Sequence, residues 1–584
     1  MPFSSQWFAA PASTASYTID NSLMINDTAD EYLDRDFGTP TDQNKWSFSF
    51  WFKRTEFAIG TDSQTNLFGI ASSYTDGNNE TKLVFYDDAS GADSIKWNDV
   101  QSSSSVSAVQ TTQIFRDCAA WSHFLMVYDS DQGTAANRIK WYINGTQVTA
   151  LTASYPAQDG GASSNGSARW NTSGNGFDIG RHQAQTGNYY IAEVIFSDGQ
   201  ALSVGDLGEV NSTTGQWVPK DPSGITFGNN GFWLKFGNSS ALGQDSSGNT
   251  NTFDNNDIPT SYRSLDTPTS NYCTLNYVAS QTDRLTLSNG NLKAVATNDT
   301  SCYGTMGVNS GKWYYEILCG AIGSSTSFGL GWANGNASFT GAAGGQGAGY
   351  IWDAGNGKIY NNSTTGSTYS GATAPSAGER VMCALDLDNG FIYFGLEGTW
   401  FNSGDPTSGA TGTGAAFSSV AIAAGSPNLV PAIVADNGDT YTMNFGASSY
   451  THTIPTGYGA LKVNNLSDPS IADPSAYFQP RTYSGTGTGT TKEVDQNGNS
   501  NFEPDLVIIK NRDESDSWVW TDSVRGETKV LSSDTTGVED INDDTLTSFD
   551  NNGFTVGDDV LVNSAEDYCS WMWLESATAG FDIV

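Results

Sequence analysis

The side chains most often used for acid–base catalysis are sparse in this sequence. Its three histidines, His123, His182 and His452, lie far apart along the chain. His123 stands among apolar residues of a predicted strand, which favours a structural role for its ring, and we expect the same of the other two. No Gly-x-Ser-x-Gly elbow precedes a predicted helix and no His-Glu-x-x-His occurs, so triad hydrolases and zinc proteases lack their usual parts here.

Paired carboxylates are the second catalytic arrangement to consider, because glycoside hydrolysis needs one acid to protonate the leaving group and another to act as base or nucleophile. Glycosidases on β-sandwiches typically carry Glu-x-Asp-x-x-Glu on one strand. The nearest string here, Glu493-Val494-Asp495-Gln496-Asn497-Gly498, lacks the last acid. Loops could still bring other carboxylates together, so a polysaccharide depolymerase stays open as an alternative to a protein without catalytic residues.

Acidic loops also suggest calcium, which prefers carboxylate and carbonyl oxygens. The segment from Asp495 begins like a calcium loop, but Leu506 occupies its twelfth position and its sixth is not glycine. Asp245-Ser246-Ser247-Gly248-Asn249 and Asp129-Ser130-Asp131 are equally compatible with Asx-turns, the commoner meaning of such strings. We therefore expect no cofactor, and calcium binding stays open without a complete motif.

The six cysteines form neither a disulfide framework nor a zinc site that can be read from their spacing, since no Cys-x-x-Cys occurs. Cys319 and Cys383 stand inside apolar strand runs, where cysteine usually acts as a small buried hydrophobic residue. This usage favours assembly in a reducing cytoplasm. The residues are Cys118, Cys273, Cys302, Cys319, Cys383 and Cys569.

Aromatic residues among turn formers are better candidates for function, and they point to binding. Thr399-Trp400-Phe401-Asn402 follows a strand at Phe391–Gly395 and leads into Gly404-Asp405-Pro406. Loops on a rigid scaffold commonly carry recognition. Tyr360, Trp400 and Phe401 are our candidate ligand-binding residues, able to stack on a sugar ring or to fill a partner's pocket. The alternative is that Trp400 folds back as a plug over its own domain.

The net charge of the chain limits the classes of binding partner that we expect. The 584 residues carry 26 Lys and Arg against 63 Asp and Glu, a formal net charge of −37. Such a field repels phosphate backbones and anionic membranes, so we expect neither nucleic acid binding nor membrane insertion.

The N-terminus lacks the basic and apolar regions of a signal peptide, and no run of about 18 apolar residues predicts a transmembrane helix. Abundant Gly, Ser, Thr and Asn between short apolar runs predict an all-β chain of several domains.

The elements that position the candidate aromatics are short strands. Gly311–Gly446 contains apolar runs closed by Gly, Asn, Asp or Pro, the pattern of an antiparallel sandwich, and Asp388-Asn389-Gly390 predicts a tight hairpin. The order of the runs resembles the SPRY/B30.2 family, whose non-catalytic sandwich serves in recognition. The runs are Gly311-Lys312-Trp313-Tyr314-Tyr315-Glu316-Ile317, Phe328–Trp332, Gly349–Asp353, Gly378–Asp388, Phe391–Gly395 and Leu429–Ile433.

An earlier set of runs predicts another sandwich. Trp46, Phe48, Phe50 and Phe52 alternate along one strand and so share a face, and Asn144-Gly145 is a strong signal for a hairpin. These runs, with Trp121–Tyr128 and Ile191–Leu202, resemble laminin G-like, concanavalin-type jelly rolls.

The chain therefore divides into consecutive antiparallel β-sandwiches, or jelly rolls, with a small C-terminal β domain. We predict an N-terminal arm (1–16), a laminin G-like jelly roll (17–240), a linker (241–272), an SPRY-like sandwich (273–465) and the C-terminal β domain (466–584).

The combination of modules resembles modular structural proteins of tailed bacteriophages, particularly marine ones. The resemblance implies a non-catalytic virion protein, such as a tail fibre, appendage or decoration component. It would be assembled in the host cytoplasm and act outside cells as a homotrimer, bound to host surface glycan, to a receptor or to other virion proteins. A depolymerase on the jelly roll and a bacterial surface adhesin are the alternatives.

Overall fold

A computed structural model describes residues 17–26, 31–57, 63–71, 80–87, 93–158, 170–181, 187–280, 283–322, 328–334, 349–361, 365–422, 426, 428–487 and 489–584. The predicted arm (1–16) and His182 lie outside the described residues. The fold-class prediction is confirmed, because almost all regular structure is antiparallel β. The chain forms two compact units: the first comprises residues 1–209 and 218–467, the second residues 210–217 and 468–584.

The first sandwich consists of two eight-stranded sheets, which place β3 and β13 side by side at the centre of one of them. The order of this sheet is β10-β9-β8-β3-β13-β1-β18, with β16 also on β13, and the order of the other is β11-β7-β6-β5-β4-β12-β2-β17. The strands of these two sheets are β1 (Ser22–Ile25), β2 (Tyr32–Asp36), β3 (Lys45–Arg54), β4 (Ser63–Ala71), β5 (Glu80–Asp87), β6 (Asp93–Gln101), β7 (Ser104–Thr111), β8 (Ser122–Asp129), β9 (Ile139–Ile143), β10 (Thr146–Val148), β11 (Leu151–Ser154), β12 (Gly176–Ile179), β13 (Tyr189–Asp198), β16 (Phe232–Leu234), β17 (Asp254–Asn256) and β18 (Arg263–Ser264). β14 (Gly208–Val210) and β15 (Trp217–Pro219) pair with each other in a separate two-stranded sheet.

Alternation along β3 determines the core of this sandwich. Trp46, Phe48, Phe50 and Phe52 all lie in one buried apolar cluster between the sheets, as predicted. Phe48 meets Phe68 of the facing sheet edge-on, with ring centroids 4.7 Å apart. Burying such rings provides much of the driving force for folding, because the hydrophobic effect scales with the apolar area removed from water.

The predicted Asn144-Gly145 hairpin is confirmed. β9 and β10 pair directly across it, and both turn residues have positive φ, 47° at Asn144 and 79° at Gly145. A two-residue turn of this type matches the right-handed twist of the strands, which is why Asn-Gly is favoured there.

The stretch predicted as a linker (241–272) contributes strands to the first sandwich. β17 pairs with β2, and β18 pairs with β1. Just beyond β18, Asp266 accepts hydrogen bonds from the side chains of Lys53 and Trp121. This stretch is therefore fixed to the first sandwich by backbone pairing and by a buried charge.

The second sandwich also has two sheets. Their orders are β19-β20-β32-β22-β27-β28-β29, with β30 also on β28, and β21-β31-β23-β24-β25-β26. The strands are β19 (Leu285–Ser288), β20 (Lys293–Ala296), β21 (Thr300–Tyr303), β22 (Lys312–Cys319), β23 (Gly329–Asn334), β24 (Gly349–Asp353), β25 (Lys358–Asn361), β26 (Ser367–Thr368), β27 (Arg380–Asp386), β28 (Phe391–Leu396), β29 (Thr399–Trp400), β30 (Phe417–Ser418), β31 (Leu429–Ala435) and β32 (Thr440–Asn444).

The hairpin predicted at Asp388-Asn389-Gly390 is confirmed between β27 and β28. Gly390 has a φ of 76°, and its N–H donates to the carbonyl of Asp386. The Asp386 carboxylate accepts from the N–H of Asn389, which closes the turn.

The C-terminal β domain makes up the second unit apart from its residues 210–217. Its sheets have the orders β33-β41-β35-β36, β34-β40-β39 and β37-β38, and its core includes Val507, Ile509, Tyr568 and Met572. Within the described residues, no helix is long and apolar enough to cross a membrane. The elements are β33 (Phe478–Ser484), β34 (Lys492–Asp495), β35 (Leu506–Asn511), β36 (Val519–Asp522), β37 (Lys529–Val530), β38 (Asp540–Ile541), β39 (Leu546–Asp550), β40 (Gly553–Val556), α1 (Val560–Asn563) and β41 (Asp567–Trp573).

Candidate binding site

Trp400, the first candidate residue, lies on the outer face of the second sandwich. β29 pairs with the end of β28, where Trp400 opposes Gly395. Its ring is half-buried and meets Tyr314 and Tyr393 edge-on, with centroids 6.4 and 6.5 Å apart. The indole thus packs back on its own domain, which is the plug arrangement weighed against a ligand-binding role.

Phe401 requires a correction. Its side chain is only 6 % exposed and packs in the core against Trp352, 5.1 Å away, and Tyr369, 6.0 Å away. Trp400 has extended backbone angles, φ −76° and ψ 133°, so the consecutive side chains of Trp400 and Phe401 point to opposite sides of the sheet. Phe401 therefore belongs to the core and offers no ring to a ligand.

Tyr360 lies on the other outer face of the same sandwich. In β25 it opposes Ile351 of β24, whose side chain belongs to a small cluster outside the main core. The Tyr360 hydroxyl accepts a hydrogen bond of 2.9 Å from the Asn356 side chain, and its ring is half-buried. A Cβ at Gly366 would come within 2.6 Å of this ring, so glycine allows the close approach.

The three candidate residues consequently do not form one site. Trp400 and Tyr360 lie on opposite outer faces, with Phe401 in the core between them. Among the described residues, Trp400 and Phe401 each pack against aromatic rings, whereas no ring contact is found for Tyr360.

Residues 450–452 cover part of the outer face that carries Trp400 and are held there by hydrogen bonds. The buried Glu316 carboxylate accepts from the Tyr314 hydroxyl at 2.9 Å and from the backbone N–H groups of Thr451 and His452 at 2.9 and 2.8 Å. The Tyr450 hydroxyl donates to the carbonyl of Tyr314 at 3.0 Å. His452 is thus held by its backbone, consistent with the structural role expected for it.

His123 lies on the outer face of the first sandwich but is buried. Its Nε2 is 2.7 Å from the Ser49 hydroxyl, and its ring packs 4.9 Å from that of Trp51. Burial lowers the pKa of His123 to about 3, because the charged imidazolium would be poorly solvated there. The Ser–His pair is closed to solvent, so we assign it a structural role.

Glu193 is a titratable group with a shifted pKa that the sequence did not single out. It sits at a bulge in β13 with a φ of 49° and is buried. Its two oxygens accept from the Tyr17 hydroxyl at 3.1 Å and from Trp233 Nε1 at 2.6 Å. Burial raises the pKa of Glu193 to about 7, and the hydrogen bonds and Lys235 only partly oppose this. A lone acid within the apolar run Ile191–Phe196 was the available sequence signal.

Metal-binding geometry is not found in the described part of the chain, where no group of three or more His, Cys, Asp or Glu could hold an ion. The Asp245 segment forms the Asx-turn considered above, since its carboxylate accepts from the N–H groups of Ser247 and Asn251. The cysteines are free, and burial raises the pKa of Cys383 to about 12, in keeping with a hydrophobic role.

Comparison with known proteins agrees with the two sandwiches. Residues 27–199 match the concanavalin A-like lectin/glucanases superfamily, residues 312–448 match the SPRY domain family, and residues 473–582 match a domain of unknown function. The chain thus contains a concanavalin-like domain and an SPRY domain. No curated protein matches the chain.

Solved structures with similar folds include two human SPRY domains and an invertebrate pentraxin. The SPRY domain of human HERC1 is 17 % identical, with 29 % of this chain and 96 % of that one covered and a TM-score of 0.23. Another human SPRY domain is 15 % identical, with coverages of 28 and 98 % and a TM-score of 0.22. A SAP-like pentraxin from Limulus polyphemus is 14 % identical, with coverages of 32 and 80 % and a TM-score of 0.23.

Proposed function

We propose that this protein is a non-catalytic structural component of a bacteriophage virion, and that it attaches the particle to host surface glycan or to other virion proteins. The observation that carries the proposal is the succession of a concanavalin-like domain and an SPRY domain in one chain. This is the module order of the phage proteins that the sequence resembles. Tail fibre, appendage and decoration protein are the roles that fit it.

Binding is favoured over catalysis by the surroundings of the polar groups. Glu193 and His123 are two of the groups with strongly shifted pKa values in the first sandwich, and both are buried and hydrogen-bonded within the protein. A glycosidase needs two carboxyl groups facing a substrate across an open cleft. Groups enclosed in this way stabilise a scaffold and cannot reach a glycosidic bond.

The position on the particle can be tested directly. Antibodies against the purified full chain, applied to particles of the phage that encodes it, should label one defined structure in electron micrographs. Absence of the chain from purified particles would overturn the virion assignment. Light scattering during size-exclusion chromatography should give the mass of a homotrimer, as fibre proteins usually do.

Catalysis can be tested separately. We expect that host capsule incubated with the chain keeps its length distribution, while labelled chain adsorbs to host cells. Shortening of the polysaccharide would establish a depolymerase and contradict the non-catalytic part of the proposal. Adsorption to no host cell would leave assembly with other virion proteins as the role of the chain.

A further inference from the structure

The C-terminal β domain has an outer face rich in aromatic residues. In β41, Tyr568 and Met572 point into the core, whereas Trp571 and Trp573 alternate with them and point outward. In β36 the buried Val519 likewise alternates with the partly exposed Trp520. Successive residues of a strand point to opposite faces, so these indoles share the face away from the core.

Strand register lines the outward residues up across the domain. Pro480 of β33 opposes Trp571, Trp571 opposes Ile508 of β35, and Ile508 opposes Trp520 of β36. Trp520 then forms an antiparallel bridge with Leu531, which is 40 % exposed. Residues directly opposite in antiparallel strands share a face, so these five form one apolar row about 19 Å long, given about 4.8 Å between strands.

Three further rings, those of Trp518, Trp573 and Phe478, widen this row. We call the row together with these rings the aromatic face. Trp518 stacks on Trp571 with centroids 5.6 Å apart and planes at 22°. Phe478, 37 % exposed, packs against Trp573 at 4.7 Å. Ile508, between the tryptophan-bearing strands, is only 6 % exposed. Partly exposed rings supported by neighbours in this way form a broad surface of fixed shape, and contiguous exposed apolar surface marks interaction sites.

The net charge of the C-terminal β domain indicates which class of ligand can bind to the aromatic face. Residues 468–584 contain 23 Asp and Glu against six Lys and Arg, a net charge of −17. Single-stranded nucleic acid also stacks on aromatic rings but needs a positive groove, and anionic polymers and a second copy of this domain would both be repelled. At the margin of the face, Asp522 pairs with Arg525, and Lys510, which opposes Cys569, donates from its ammonium group to the backbone carbonyls of Asn511 and Glu514. A neutral ligand therefore fits it best.

A partner's strand is also disfavoured at the neighbouring edge. β33 is the edge strand of this sheet, and Pro480 removes a backbone donor from it. Edge prolines prevent continuous pairing with an added strand.

We propose that the aromatic face of the C-terminal β domain binds a neutral polysaccharide chain, whose hexose rings stack on Trp518, Trp520, Trp571 and Trp573. The C–H face of a hexose is apolar and packs on an indole, while its hydroxyl groups remain in water. The aliphatic residues between the indoles fill the spaces under the sugar chain. This inference deepens the proposed attachment role and rests on it for the premise that the ligand is a glycan.

The test uses the full chain in native gels that contain dextran, laminarin or galactomannan as neutral polysaccharides and alginate as an anionic one. We expect at least one neutral polymer to retard the wild type, and Trp571→Ala or Trp520→Ala to weaken binding about tenfold. Trp571→Phe keeps a ring and should retain part of the affinity. Phe391→Ala, which removes a half-buried aromatic ring from the outer face of the second sandwich, is the control and should bind like wild type.

Near-ultraviolet circular dichroism separates loss of the ring from loss of the fold, and the Phe variant keeps the test decisive if an Ala variant unfolds. Retardation by no neutral polymer, by alginate alone, or equally in all variants would overturn the proposal. The proposal would also be overturned if Trp571→Ala dissociated an oligomer of the chain but bound saccharide like the wild type. It would likewise be overturned if Trp571→Ala lost binding to a host protein while no polymer retarded the wild type. Since the gels need no virus, polysaccharide binding by a chain absent from virions would refute the proposed function alone.

Discussion

Lys53 Nζ lies 2.8 Å from Oδ2 of Asp266, and both side chains are almost completely buried. Lys53 belongs to β3 of the first sandwich, whereas Asp266 follows β18 in the stretch that leads to the second sandwich. The other two donors of the ammonium group are used by Asn271 Oδ1 at 2.8 Å and by the carbonyl of Tyr272 at 2.9 Å. The pair thus fixes the path of the chain between the domains through a fully hydrogen-bonded charge.

We predict that Lys53→Met destabilises the first unit by about 3–5 kcal/mol, because it leaves the Asp266 carboxylate buried without its counter-charge. Chemical denaturation followed by tryptophan fluorescence measures this loss. Lys45→Met is the matched control, since Lys45 is 32 % exposed and its ion pairs with Asp131 and Asp129 are long, 3.7 and 4.0 Å. This change should alter stability by about 1 kcal/mol or less. A Lys53→Met variant as stable as wild type would show that the pair does not fix this path.

Glu193→Gln should stabilise the protein at alkaline pH and not at acid pH. The pKa of Glu193 is raised from 4.5 to about 7 on folding, so the folded state holds this proton more tightly than the unfolded chain. Wild-type stability therefore falls as pH rises through this window, by about 3 kcal/mol at most. Glutamine resembles the protonated acid and avoids the loss.

The measurement is the free energy of unfolding at pH 4 and pH 8. The variant should gain on wild type only at the higher pH, whereas Glu503→Gln, a control at an exposed glutamate, should track wild type at both. An equal effect of Glu193→Gln at the two pH values would show that Glu193 does not titrate in this window.

His123 gives the opposite pH dependence. Its pKa falls from 6.5 to about 3 on folding, so the unfolded chain binds the proton more tightly. Stability should be unaffected by this group above pH 6.5 and should decline as pH falls from 6.5 towards 3. His123→Gln should flatten the slope of unfolding free energy against pH in that range, whatever its effect on absolute stability. Ser49→Ala, which keeps the imidazole, should preserve the slope, and a slope unchanged in His123→Gln would contradict this account.

Local chemistry made the strands and hairpins of this chain predictable. Asn144-Gly145 and Asp388-Asn389-Gly390 carry their turn preference in two or three residues, and the alternation at Trp46–Phe52 shows which rings share a face. The arrangement of the binding candidates was less accessible. Trp400 and Phe401 are consecutive in extended chain and so face opposite sides, but which of the two rings enters the core depends on how β29 pairs with β28. The sides taken by Tyr360 and Trp571 likewise depend on pairing with other strands. Side-chain facing in a sheet is a property of register, which a single strand does not encode.

The separation of Tyr360, Trp400 and Phe401 predicts three different responses to truncation. Phe401→Ala should lower the free energy of unfolding by about 3–5 kcal/mol, because it opens a cavity beside Trp352 and Tyr369. Trp400→Ala should cost less, since its half-buried ring loses only the contacts with Tyr314 and Tyr393 and water fills the space. Tyr360→Ala should be the mildest for stability, and any loss of attachment in this variant would assign a role in recognition to that outer face. Denaturation of the three variants in parallel checks the order, and a Tyr360→Ala loss as large as that of Phe401→Ala would place the tyrosine in the core instead.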